Sequence, residues 1–97
     1  MTARAIDRRA LIGWFVRELS KVQQERPGRP GVTESRELEW VVFEREKLLE
    51  LVNAERAKFF RPAVDMAAVA RIENSAVGHF DYTRKLALGA ADLVLAG

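Results

Sequence analysis

Two prolines and two glycines fall within the six residues Arg26-Pro27-Gly28-Arg29-Pro30-Gly31, and no α-helix runs through such a stretch. Two weaker breaks follow. Pro62 is placed to occupy the first position of a helix, and Gly78 stands where a glycine typically ends one. The three breaks leave four segments of helical length, residues 3–25, 33–60, 62–77 and 81–96.

Each segment has helical periodicity. In the first, Leu11, Ile12, Phe15, Val16, Leu19 and Val22 share one arc at 100° per residue, while Ile6, Ala10 and Trp14 form a narrower stripe on the far side. The second opens at Thr33 or Ser35, either able to cap it, and runs unbroken to Phe60. Leu38, Val41, Val42, Leu48, Leu49, Val52, Phe59 and Phe60 share its main face, which makes this helix the expected spine. Arg45 and Arg56 interrupt that face, so each must find a carboxylate, a carbonyl or water. Trp40, Phe43, Leu51 and Ala54 lie opposite. The third segment is alanine-rich, with Met66, Val69, Ile72 and Ala76 as its expected contact face. The fourth starts at Asp81, placed to cap, and carries Tyr82, Leu86, Gly89, Ala90 and Leu93 on one side, with Gly89 and Ala90 suited to a close helix crossing and Leu88 and Leu95 facing away. No strand-like alternation of useful length occurs. The expectation is an all-α domain, a small bundle of about four helices with a long second helix.

At 97 residues the chain is sized for one core, hence a single domain over 1–97, and 48% hydrophobic with 31% charged residues is a globular composition. The chain has no cysteine, which removes disulfides and thiolate metal sites. Apolar runs stop at four or five residues, far short of the roughly 20 that span a bilayer. The start of the chain, broken by Arg4, Asp7, Arg8 and Arg9, lacks the apolar stretch of a secretory signal. A cytoplasmic protein with no membrane contact is expected.

Chemistry has little to stand on. The only histidine, His79, lies between two helical segments with Glu73 and Asp81 nearby in sequence, and a general base oriented by either acid is conceivable there. The simpler assignment puts Gly78, His79 and Asp81 to work as a turn and a cap. One histidine with scattered acids does not make a metal site, and HExxH, the calcium loop, GxxxxGK[ST] and GxGxxG are all missing. Seven residues separate Arg71 from His79, outside the four to six used by helical ribonucleases. A non-enzyme with no cofactor and no metal is expected.

Binding remains. Net charge is +2 but unevenly spread, with +4 in residues 1–31, −2 in 32–60 and 0 in 61–97. A basic helix beside an acidic one, within the fold or across a dimer, accounts for that asymmetry, as does contact with nucleic acid. Trp14 and Trp40 miss the main core arcs, and large aromatics of that kind commonly anchor protein contacts. The leading expectation is a protein–protein interaction module that self-associates, most simply as a two-fold homodimer, or caps a partner through Ile6, Ala10, Trp14, Trp40, Phe43 and Leu51. The alternatives are a nucleic-acid accessory protein using Arg4, Arg8, Arg9, Lys21, Arg26 and Arg29, and a phage or mobile-element inhibitor of a host protein complex. Residues 62–96 form a helix-turn-helix only loosely, the supposed recognition helix offering Arg84 and Lys85 near its start.

Overall fold

The computed structural model describes residues 7–25 and 34–96, with side chains from Asp7 to Glu25 and from Val41 onward. The described residues form four helices, α1 (Arg8–Gln24), α2 (Glu34–Lys58), α3 (Met66–Ala76) and α4 (Tyr82–Leu95), and no strand. The expected start of the first segment, Thr33, the loop of Arg26 and Arg29, and Arg4 and Ile6 lie outside the described residues, as does the side chain of Trp40, while Ser35, the other expected opening of the second segment, lies inside α2.

The last helix, not the second, is the centre. Among the described residues, α4 packs against each of the other three helices, most extensively α1, whereas α1 and α3 do not meet. The reason is its composition. Leu86, Ala87, Ala90, Ala91 and Val94 are all buried, a broad arc in which alanines let neighbours approach from several directions. Gly89 extends this: a Cβ built there would lie 2.6 Å from Cγ2 of Ile72, so α3 crosses α4 at a contact that tolerates no side chain. Phe15 and Leu19 of α1, Val52 of α2 and Val69 of α3 fill the space around that arc. Leu88 and Leu95 do not face away but pack, half-buried, against the same core.

Local hydrogen bonding moves several helix ends from their expected places. Asp7 is extended and its Oδ1 accepts from the amides of Arg9 and Ala10 at 3.0 and 3.3 Å, so α1 starts at Arg8, later than residue 3. The second helix stops at Lys58. Phe60 takes a left-handed conformation (φ 58°) and its ring is 95% exposed, which removes it from the core stripe. Pro62 does not begin α3; its carbonyl accepts from Arg56 Nε at 2.7 Å, and Asn53 holds Val64 through both its carbonyl (3.1 Å) and its amide (2.8 Å). The helix starts four residues later, behind Asp65, whose Oδ1 accepts from the Ala68 amide at 3.1 Å. Met66 is consequently exposed and not part of the contact face. Gly78 follows α3 with φ 86°. Asp81 precedes α4 without any side-chain capping bond.

Both arginines in the α2 face find partners of the required kind. Arg56 is buried, and its Nη1 donates to the carbonyls of Leu93 at 2.5 Å and Ala96 at 2.8 Å. Arg61 Nη1 adds a bond of 2.6 Å to the Val94 carbonyl. Two cations thus satisfy carbonyls that the end of α4 leaves without helical partners, at the negative pole of its dipole. Arg45 Nε pairs with buried Glu73 at 2.5 Å, and the Tyr82 hydroxyl donates to Glu44 at 3.2 Å and lies 3.5 Å from Glu73, joining α2, α3 and α4. Among the described residues no buried side-chain nitrogen or oxygen lacks a partner.

Candidate binding surface

The two apolar stripes proposed from sequence are drawn partly into the fold. Trp14 is half-buried, meets Phe15 edge-on with ring centroids 5.0 Å apart and has Lys58 Nζ 5.9 Å from its ring centroid. Leu51 also packs, half-buried, on the core. Phe43 is half-buried beneath Lys47, 5.7 Å from its ring centroid, and Ala10 is exposed. The fully presented apolar side chains lie elsewhere: Phe60 between α2 and α3, and Val77 and Phe80 between α3 and α4.

The most distinctive surface is a groove of about 720 Å³ between α1 and α4. Arg8, Arg9 and Arg17 of α1 and Arg84 of α4 wall it; Ile12, Gly13, Val16 and Leu88 form its floor. Helix geometry explains the α1 wall. Arg9, Gly13 and Arg17 recur every four residues and so share one face, and eight residues place the two arginines about 12 Å apart along the axis. Gly13 leaves room between them: Arg17 Nη1 lies 3.6 Å from where a Cβ of residue 13 would stand.

The four arginines are not equivalent. Arg8 is committed to Asp92, with Nε to Oδ1 at 2.7 Å and Nη2 to Oδ2 at 3.3 Å, a two-pronged bond fastening the start of α1 to the last turn of α4. That hydrogen bond, and after it the carboxylate charge, raises the Arg8 pKa above its ordinary value. Arg9, Arg17 and Arg84 have no carboxylate within ion-pair distance among the described residues. Three uncompensated guanidiniums therefore face one hollow, each a planar fork suited to phosphate or carboxylate oxygens.

Arg84 and Leu88 also line a second recess, about 220 Å³, with Lys85, His79, Asp81 and Phe80. Phe80 is 103% exposed, so its ring stands clear of the protein at the end of the arginine groove. Across α4, Lys85 and Leu88 reach a third hollow of about 460 Å³ toward α3, which adds Arg71 and Ser75. The outer strip of α4 is thus the shared border of three hollows and carries two cations and Leu88.

Of the basic residues chosen from sequence, Arg8 and Arg9 enter this surface, Lys21 is instead an exposed partner of Glu18 at 3.1 Å, and Arg4, Arg26 and Arg29 lie outside the described residues. Arg17 was missed, although its four-residue spacing from Gly13 and Arg9 was there to be read. Arg84 was noticed only as part of a loose helix-turn-helix, because nothing in its own segment reveals that α1 supplies the facing wall.

The His79 constellation does not assemble. His79 and Asp81 are both exposed, no hydrogen bond joins the histidine ring to an acid among the described residues, and Glu73 is buried against Arg45. Among the described residues no three metal-ligating side chains cluster, and no helix is long and apolar enough to cross a membrane. No protein-family model, curated protein or solved structure matches the chain.

Proposed function

We propose that this chain is a small non-catalytic binding protein whose ligand is a nucleic acid, held along the groove between α1 and α4. The observation that carries this reading is the convergence of Arg9, Arg17 and Arg84, all without a carboxylate partner among the described residues, on a single groove with an apolar floor. Like charges gathered around one hollow raise the positive potential there, which favours an anionic ligand. A sugar-phosphate chain brings one negative charge per nucleotide, and its sugars and base faces suit Ile12, Val16 and Leu88 beneath. This set adds Arg17 and Arg84 to the basic residues expected from sequence, with Arg9 as a ligand contact and Arg8 clamping α4.

Fluorescence anisotropy with a labelled oligonucleotide, repeated over a salt series, tests it. Arg17→Glu and Arg84→Glu each reverse a charge on an exposed side chain outside the core, so binding falls sharply while the thermal melt stays unchanged. Wild-type protein that ignores oligonucleotides at low salt contradicts the reading.

A second reading keeps the protein–protein module, self-associating as a homodimer or blocking a partner as a phage-type inhibitor would. It is favoured by Val42, 52% exposed beside half-buried Phe43 on the acidic middle third of the chain. Light scattering over a wide concentration range tests it: a mass that doubles, and returns to monomer with Val42→Asp, supports self-association over nucleic-acid binding.

A further inference from the structure

The geometry points to a single strand as the ligand, with an unpaired base stacked on the ring of Phe80 while the phosphates run along the arginine groove. This rests on the nucleic-acid reading and adds to it the form of the strand and the residue that selects it.

Three observations combine. The Phe80 side chain is 103% exposed, so its face is available without any rearrangement. An exposed phenylalanine is poorly placed in water, and this one contributes nothing to the core. Its surroundings offer two chemistries side by side: the recess beside it has a mostly apolar lining that includes Leu88, while Arg84 and Lys85 stand at its border. A nucleotide uses both, since its base offers a π-face and its phosphate an anion within one unit. Finally, the recess and the arginine groove adjoin at Arg84 and Leu88, so a strand that leaves Arg9 and Arg17 and crosses Arg84 comes next to Phe80. In a duplex the base faces are covered by their neighbours, and a ring at the end of such a path has nothing to stack on. In a single strand every base has a free face.

The experiment uses the full chain, an end-labelled oligo-dT of about 12 nucleotides, a size within the range single-strand sites cover, and a hairpin duplex of matching charge. Anisotropy is read for wild type, Phe80→Ala, Phe80→Trp and Arg17→Ala over a salt series, with folding checked by thermal melts. Wild type is expected to prefer the single strand. Phe80→Ala weakens oligo-dT binding about tenfold, the loss of one stacked base, with the salt slope unchanged because phenylalanine displaces no counterion. Arg17→Ala instead lowers that slope by about 0.7, the share of one phosphate contact on a single strand. Phe80→Trp keeps wild-type affinity, and base stacking quenches its added fluorescence. If Phe80→Ala binds oligo-dT as wild type does while Arg17→Ala still lowers the slope, stacking is overturned and the groove reading stands. Preference for the hairpin likewise overturns the single-strand assignment. If neither oligonucleotide binds, or a polyglutamate peptide competes equally, both inferences fall.

Discussion

Arg56 reaches from the buried face of α2 to the carbonyl oxygen of Leu93, 2.5 Å away, and so closes the end of the helix around which the bundle is built. The same guanidinium holds the carbonyls of Ala96 and Pro62, at 2.8 and 2.7 Å. Replacing it with leucine leaves three carbonyls without their donor, those of Pro62 and Ala96 on exposed residues and that of Leu93 on a half-buried one. Arg56→Leu should cost about 3 kcal/mol, since bonds to charged groups are worth about 1.5–3 kcal/mol each and lost partners are only partly rehydrated. Urea unfolding monitored by circular dichroism measures it, and a variant within about 0.5 kcal/mol of wild type would show that the α4 terminus needs no cation.

Gly89 is expected to resist even a methyl group. Alanine improves helix propensity by about 1 kcal/mol, but its Cβ would meet Ile72 Cγ2 at 2.6 Å, and overpacking of that kind costs about 1–3 kcal/mol. Gly89→Ala should therefore be destabilising on balance. In the background of Ile72→Ala the two closest atoms are removed and only Cβ remains, at 3.3 Å, so the same change should turn stabilising, a sign reversal that a double-mutant cycle reads directly.

Two phenylalanines separate what periodicity shows from what it misses. Phe15 is fully buried, and Phe15→Ala should cost about 3–5 kcal/mol. Phe60 sits on the same kind of helical stripe in sequence but is 95% exposed, and Phe60→Ala should change stability by no more than about 0.5 kcal/mol. Chemical denaturation of the pair checks both.

Two of the three aspartates that precede helices, Asp7 and Asp81, should differ as well. Asp7→Ala removes two bonds to the first turn of α1 and should cost about 1 kcal/mol, whereas Asp81, which makes no capping bond, should be replaceable at little cost. Thermal melts of the two variants make the comparison.

These cases show which parts of the fold were legible in the sequence. The breaks at residues 26–31, Pro62 and Gly78 separate the four helices of the described residues because proline and glycine act on the local backbone, and the core arc of α1 follows from the 3.6-residue period. The expectation that Arg45 and Arg56 need partners also follows from chemistry alone, although which partners they take does not. Periodicity cannot see where a helix stops when side chains from elsewhere compete for its end. Arg56 and Asn53 capture the backbone of Pro62 and Val64, so α3 starts at Met66, and the left-handed turn at Phe60 discards a residue that the pattern placed inside. The central place of α4 was hidden for a different reason: alanine and glycine carry little hydrophobic signal, yet they allow the closest packing. The arginine groove is harder still, since its walls come from segments some 70 residues apart and only the packing of α1 on α4 brings Arg17 to the same hollow as Arg84.

Charge at the groove should be adjustable in both directions. Asp92 neutralises Arg8, and the pair is exposed on both sides, so it contributes little to stability. Asp92→Asn releases Arg8 to the ligand and should steepen the salt dependence of oligonucleotide binding by about 0.7, the share of one further phosphate contact. Anisotropy titrations at several salt concentrations would detect it, and an unchanged slope would mean that Arg8 does not reach the strand.

The most direct measurement is an NMR titration of isotopically labelled protein with unlabelled oligo-dT, following backbone amides. The perturbed amides should cluster between Arg9 and Arg17 on α1 and between His79 and Leu88 around the start of α4. Perturbations centred on Val42 to Leu51 of α2, or a spectrum indifferent to the oligonucleotide at low salt, would contradict it.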